Sequence, residues 1–159
     1  MNIYNEDCLE AMKLMKDNQF DLALVDPPYG IERFKNPQPH ARGKWGNKTN
    51  DWDIKPKDIF FKELIRASKN QIIWGANNFI LPPTEYFCIW NKKQTVDNFA
   101  TAEYAWVSMG LKKPAKIFEY SIHKHNHTNK IHPTQKPVKL YEWLLMNYAK
   151  EGDKILDTH

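Results

Sequence analysis

The sequence predicts an α/β domain built on a mainly parallel, doubly wound sheet. Short, wholly apolar runs such as Leu22 to Val25 and Ile72 to Trp74 alternate with amphipathic helical stretches. The runs stop abruptly at Pro, Gly or Asn, as buried strands do. At 159 residues the chain suits one hydrophobic core, so 1–159 is read as a single domain.

Element by element, Asn2-Ile3-Tyr4 has the character of a strand. Asp7 is placed to cap a helix in which Leu9, Met12, Leu14 and Met15 recur at helical spacing before Asp17 and Asn18 end it. Asp21 to Val25 is a buried strand that runs into Asp26-Pro27-Pro28-Tyr29-Gly30, where the prolines forbid further ladder pairing. The polar, basic stretch 31–57 is read as a long surface loop of the kind kept for function. Asp58 caps a helix with Ile59, Phe60, Leu64, Ile65 and Ala67 on its apolar face, and Asn70 breaks it. Strands are expected at Gln71 to Trp74 and Glu85 to Trp90, and further strands at Thr101 to Ser108 and Lys116 to Ile122 read as a hairpin through Gly110 and Pro114. Pro137 opens a helix with Leu140, Trp143, Leu144 and Tyr148 on one face, Gly152 lies beyond its end, and Lys154 to Asp157 begins a last strand.

Composition excludes several classes. The chain is 42% hydrophobic and 13% aromatic, too rich for a disordered segment. Cys8 and Cys88 form neither a C-x-x-C pair nor a disulfide framework, which favours a reducing cytoplasm. No basic leader precedes an apolar core and no apolar run is long enough for a bilayer, so a cytoplasmic, unexported protein with no membrane partner is expected. The net charge of +4 favours a polyanion only mildly, but its distribution says more. Arg33, Lys35, Arg42, Lys44 and Lys48 face only Glu32 between Ile31 and Asn50, and seven lysines face only Glu119 between Lys112 and Lys139.

In open α/β sheets chemistry gathers at the carboxyl ends of strands, and Asp26 to Tyr29 occupies such an end. Asp26 and the carbonyl of Pro27 can both accept hydrogen bonds from one amino group, Pro28 stiffens the loop, and Tyr29 offers a flat face for a base. The exocyclic amine of adenine is a poor nucleophile because its lone pair is delocalised. Two acceptors on its hydrogens favour a transition state in which positive charge develops on nitrogen. A base in a duplex must be flipped out to reach such a site. The rival reading is a proline-stiffened turn in which Asp26 caps the next segment.

A second signature is Ile131-His132-Pro133-Thr134-Gln135-Lys136-Pro137, followed by a helix and then Gly152-Asp153-Lys154-Ile155-Leu156-Asp157. The two segments in this order resemble the beta-class, permuted DNA amino-methyltransferases, over nearly the whole chain from Asp7 to Asp157. The resemblance implies a Rossmann-like methyltransferase fold and S-adenosylmethionine as donor. It makes Asp26, Pro27, Pro28 and Tyr29 the catalytic loop. It places Gln135, Lys136 and Pro137 at the methionine end of the donor, and adds Asp157, Asp7, Cys8 and Asp26 as cofactor contacts. After Asp157 the family expects a Gly-x-Gly loop, whereas this sequence reads Thr158-His159, so the domain is expected to be incomplete at its C-terminus.

The family reading makes double-stranded DNA the substrate and adenine N6 the methyl acceptor, with a homodimer plausible. Arg33, Lys35, Arg42, Lys44 and Trp45 in the 31–57 loop, and Lys124 in the 110–131 stretch where the family places target recognition, are the candidate DNA contacts. A solvated loop is the alternative for the first of these. His123, His125, His127 and His132 lack the cysteines or separated pairs of a zinc site, so no metal is expected. Asn77, after the second strand, either touches substrate or caps a helix. Two functional alternatives stay open: cytosine-N4 methylation by similar chemistry, and a DNA-binding fragment without catalysis.

Overall fold

A computed structural model describes residues 1–31, 53–97, 99–128, 130–132 and 134–159. Its elements are α1 (Cys8–Leu14), β1 (Leu22–Val25), α2 (Asp58–Ala67), β2 (Gln71–Trp74), β3 (Tyr86–Asn91), β4 (Ala102–Val107), β5 (Lys116–Glu119), α3 (Ile122–Asn126), α4 (Val138–Tyr148) and β6 (Ile155–Leu156). Short 3₁₀ turns follow β2 at Ala76–Asn78 and β4 at Met109–Leu111. Six strands form one sheet in the order β5-β3-β4-β2-β1-β6. The pairs β1 with β2, β1 with β6, and β3 with β5 are parallel, and only β4 runs against its neighbours. The expected mainly parallel, doubly wound sheet is therefore present.

Strand alternation divides the core into two layers. Leu22 and Leu24 of β1 join Ile72, Trp74, Cys88, Trp90, Ala105 and Val107 under Leu140, Leu144 and Tyr148 of α4. Ala23 and Val25 turn the other way, with Ile73 and Trp106, beneath Met12 of α1 and Phe60, Phe61 and Leu64 of α2. β1 is buried on both faces, which is why its four residues are all apolar. Arg66 of α2 ties the helices of the second layer together by donating to the carbonyls of Met12 and Met15, at 2.7 and 2.8 Å. The Met12 carbonyl also accepts the C-cap amide of Met15, so Arg66 adds to the capping of the end of α1.

Several local expectations are corrected. β4 and β5 do not form a hairpin: β3 lies between them, antiparallel to β4 and parallel to β5. The physical reason is register, because pairing β3 with β4 puts Cys88 against Ala105 in the core layer. Asn2-Ile3-Tyr4 joins no strand and is exposed. Asp58 is the first helical residue rather than the cap, a place where a carboxylate still meets the positive helix end. Pro137 is the N-cap of α4 rather than its first residue. Ile122, expected to end a strand, and residues 123–126, expected as loop, form α3. Within 110–131, β5 belongs to the sheet itself.

Candidate active site

β6, β1 and β2 run parallel, so their carboxyl ends share one rim of the sheet. That rim carries Asp157, the loop from Asp26 to Tyr29, and Gly75. β4 runs the other way, so its beginning reaches the same rim, and Glu103 lies there opposite Trp90. Lys136 enters from the loop before α4.

These groups meet in a compact ion-pair cluster. Lys136 Nζ donates to Asp26 Oδ2 at 2.7 Å and to Tyr29 Oη at 3.0 Å. The Tyr29 hydroxyl donates to Asp26 Oδ1 at 2.6 Å, so each oxygen of Asp26 accepts one bond. Lys136 Nζ is also 2.8 Å from Glu103 Oε2, and Lys92 Nζ is 2.7 Å from Glu103 Oε1. The Lys136 side chain is 4% exposed, so its charge depends on these partners. Burial pushes its ammonium pKa down, but the carboxylates of Asp26 and Glu103 reverse this and hold it well above the ordinary value. Burial likewise raises Glu103, and the charges of Lys136 and Lys92 outweigh it and keep the carboxyl below its usual range. Burial carries the Tyr29 phenol far above its ordinary pKa against the opposing charge of Lys136, so Tyr29 remains an O–H donor.

The geometry of the 26–29 loop has supports that the sequence did not reveal. Asp53 accepts from the amides of Gly30 and Ile31 at 2.9 and 2.7 Å and so fixes the exit of the loop. Gly75 sits at φ +65°, and a Cβ there would come within 2.0 Å of the Tyr29 ring. Phe79 packs edge-on to the same ring, with centroids 6.1 Å apart. His125 is buried, and its Nε2 lies against the carbonyl of Gln135. Burial lowers its pKa, so a neutral imidazole donates there and holds the loop that delivers Lys136. Glu103 and Asp53 carry no sequence signature, His125 stood in a histidine cluster and Gly75 at a strand end, and only the fold shows what each of them supports.

The remaining sequence candidates fall into three groups. Asp26, Tyr29 and Lys136 come together, Pro27 and Pro137 are buried, and Pro28 and Gln135 are half-buried. Gln135 Oε1 accepts from the amide of Ile131 at 2.9 Å. Asp7 is exposed and caps α1 through bonds from Leu9 and Glu10, with half-buried Cys8 as the first helical residue. Lys124 is exposed on α3. Arg33, Lys35, Arg42, Lys44 and Trp45 lie outside the described residues. Among the described residues no group of three or more His, Cys, Asp or Glu could hold a metal, and no helix is long and apolar enough to cross a membrane.

Asp157 has an exposed surface, yet protein crowding its carboxyl raises its pKa to about 6. The backbone amides of His159 and Thr158 oppose that rise, and repulsion from Asp26 adds to it. Two carboxylates thus converge at the ends of adjacent strands, which suits a small cationic ligand.

Comparison with known proteins covers most of the chain. A DNA methylase family model matches residues 52–159, a stretch that includes Gly75, Glu103, Lys136 and Asp157. Three curated relatives align along nearly all of the chain. Type II methyltransferase M2.MboI of Moraxella bovis is 25% identical over 98% of this chain and 74% of its own length. Type II methyltransferase M.BglII of Bacillus subtilis is 24% identical over 98% of this chain and 58% of its own length. Type II methyltransferase M.HpaI of Haemophilus parainfluenzae is 44% identical over 95% of this chain and 60% of its own length. The chain therefore spans about three-fifths to three-quarters of the relatives it matches. With the family model covering more than half of the chain and a six-stranded, mostly parallel α/β sheet beneath it, the protein belongs to the N6/N4 DNA methylase family and has its Rossmann-like methyltransferase fold.

Proposed function

We propose that the protein transfers a methyl group from S-adenosylmethionine to adenine N6 of a base flipped out of duplex DNA. The observation that carries this reading is the Asp26 carboxylate, held on both oxygens by Tyr29 and Lys136 at the carboxyl end of β1. Each carboxylate oxygen has a second lone pair, so Asp26 remains able to accept a hydrogen from an amino group. Together with the carbonyl of Pro27 it would draw electron density toward the amine as positive charge develops there. The S-adenosylmethionine sulfonium supplies an electrophilic methyl when bound. Asp26 and Asp157 suit its cationic character, and Asp7, Cys8, Gln135 and Pro137 are the further residues we assign to holding it. Because Lys136 is engaged by Asp26, Tyr29 and Glu103, we assign it to orienting Asp26 rather than to gripping the donor's carboxylate.

Tyr29 packs against Gly75 with its hydroxyl turned inward and the Lys136 ammonium over its ring, so a flipped base would have to displace the ring in order to stack on it. Arg33, Lys35, Arg42, Lys44 and Trp45 in residues 31–57, with Lys124 in residues 110–131, are the proposed DNA contacts, and phosphate neutralisation would make binding salt-dependent. The deciding experiment incubates the protein with S-adenosylmethionine and duplex DNA, digests the DNA to nucleosides and identifies the product by mass spectrometry. N6-methyladenine is expected, and Asp26→Ala should abolish it without unfolding the protein. N4-methylcytosine would overturn the choice of base, and full activity in Asp26→Ala would overturn the role of that residue.

A further inference from the structure

Four charges alternate in a line through this site: Asp26, Lys136, Glu103 and Lys92, with successive contacts of 2.7, 2.8 and 2.7 Å. The Asp26 end belongs to the loop proposed to bind the reacting base, and the Lys92 end follows β3. Among the described residues, Glu103 is joined to the loop by its ion pair with Lys136. The Lys136 ammonium lies almost as close to Glu103 Oε2, at 2.8 Å, as to Asp26 Oδ2, at 2.7 Å, so it is held between two carboxylates.

That geometry solves a specific problem for a buried lysine on a flexible four-carbon stem. With Asp26 as its only counter-ion, the ammonium would be drawn fully onto that carboxylate, and its protons would compete for the lone pairs an incoming amino group needs. A second carboxylate on the opposite side divides the attraction and fixes the depth at which the ammonium sits. Lys92 then neutralises Glu103 in turn, so the line of four carries no net charge into the interior.

We propose that Glu103 is a positioning residue for methyl transfer: by holding Lys136 from behind, it keeps Asp26 oriented with one lone pair on each oxygen open to the target amine. This rests on the functional reading above and adds a residue outside the sequence signatures. Glu103→Gln keeps the size of the side chain and removes the charge. Lys136 then shifts toward Asp26, and the amine meets a carboxylate whose lone pairs are taken.

The test compares the parent protein with Glu103→Gln, Glu103→Asp, Lys136→Met and the double variant Glu103→Gln/Lys136→Met. Folding is checked by circular dichroism, and kcat and KM are measured on duplex DNA. Glu103→Gln should lower kcat, by up to about 100-fold if the reacting geometry moves by about 1 Å, and leave KM for DNA unchanged. Glu103→Asp should restore part of the loss, and in the Lys136→Met background Glu103→Gln should have no further effect. An equal fold-loss in both backgrounds, a loss expressed in KM, or an unchanged kcat in Glu103→Gln would each overturn the proposal. If Glu103→Gln fails to fold, Glu103→Asp decides alone: kcat at or below the Lys136→Met level overturns it. A readout independent of turnover separates this proposal from the functional reading. The 15N resonance of the Lys136 ammonium should be protected from exchange in the parent and shifted in Glu103→Gln, and an unmoved resonance overturns the coupling even if the protein methylates no DNA.

Discussion

Replacing Gly75 by alanine perturbs the site through a single methyl group. The residue has φ +65°, a left-handed conformation that costs an L-residue roughly 1–2 kcal/mol. The new Cβ would stand 2.0, 2.3 and 2.6 Å from Cε1, Cζ and Cδ1 of Tyr29, so the ring must move. Moving it breaks the 2.6 Å bond from the Tyr29 hydroxyl to Asp26, and a hydrogen bond to a charged group is worth about 1.5–3 kcal/mol. The sum is a destabilisation of about 2.5–5 kcal/mol. Urea denaturation measures it as a lower midpoint at unchanged slope. Tyr29→Ala provides the internal control: with the ring gone, Gly75→Ala should cost only the backbone portion, about 1–2 kcal/mol. Equal costs with and without the ring would refute the contact, because non-additivity is the signature of neighbours that touch. A Gly75→Ala cost below about 0.5 kcal/mol, the range of an ordinary surface change, would refute the conformational reasoning as well.

Lys136→Met should destabilise the fold by about 3–5 kcal/mol, since it strands the Asp26 and Glu103 carboxylates, and thermal denaturation at neutral pH measures this. Asp53→Ala removes the acceptor of two loop amides, so methylation should fall while circular dichroism stays close to the parent; unchanged turnover would show that the loop needs no such clamp. For Asp157 the sign follows from a folded pKa of about 6 against an ordinary 3.8: folding disfavours the ionised form, so the residue lowers stability as pH rises through that window. Asp157→Asn should therefore raise Tm at pH 7.5 and leave it unchanged at pH 3, where both states hold the proton; an equal gain at both pH values would refute the assignment.

Much of this architecture was legible in the residues themselves. The apolar run 21–25 read as a buried strand, Asp26-Pro27-Pro28-Tyr29 as the loop that ends it, and α4 carried its apolar stripe openly in Leu140, Leu144 and Tyr148. Local chemistry fixes such features, since side-chain period and proline act over a few residues. The order of the sheet was not legible. Whether β4 pairs with β5 or β3 depends on which register fills the core, a property of three strands at once. The partners of Lys136 were hidden for the same reason. Its place in 131–137 suggested a lysine facing a ligand, but α4 closes over the sheet and delivers it, nearly solvent-free, to Asp26 and Glu103. Glu103 reaches that rim because β4 runs antiparallel, and Gly75 is required because the ring of Tyr29 lies against it. Sequence determined the Asp26 to Tyr29 loop at the end of β1, and tertiary structure decided what holds it in place. A buried charge is defined by the partners that surround it, and those come from segments far apart in the chain.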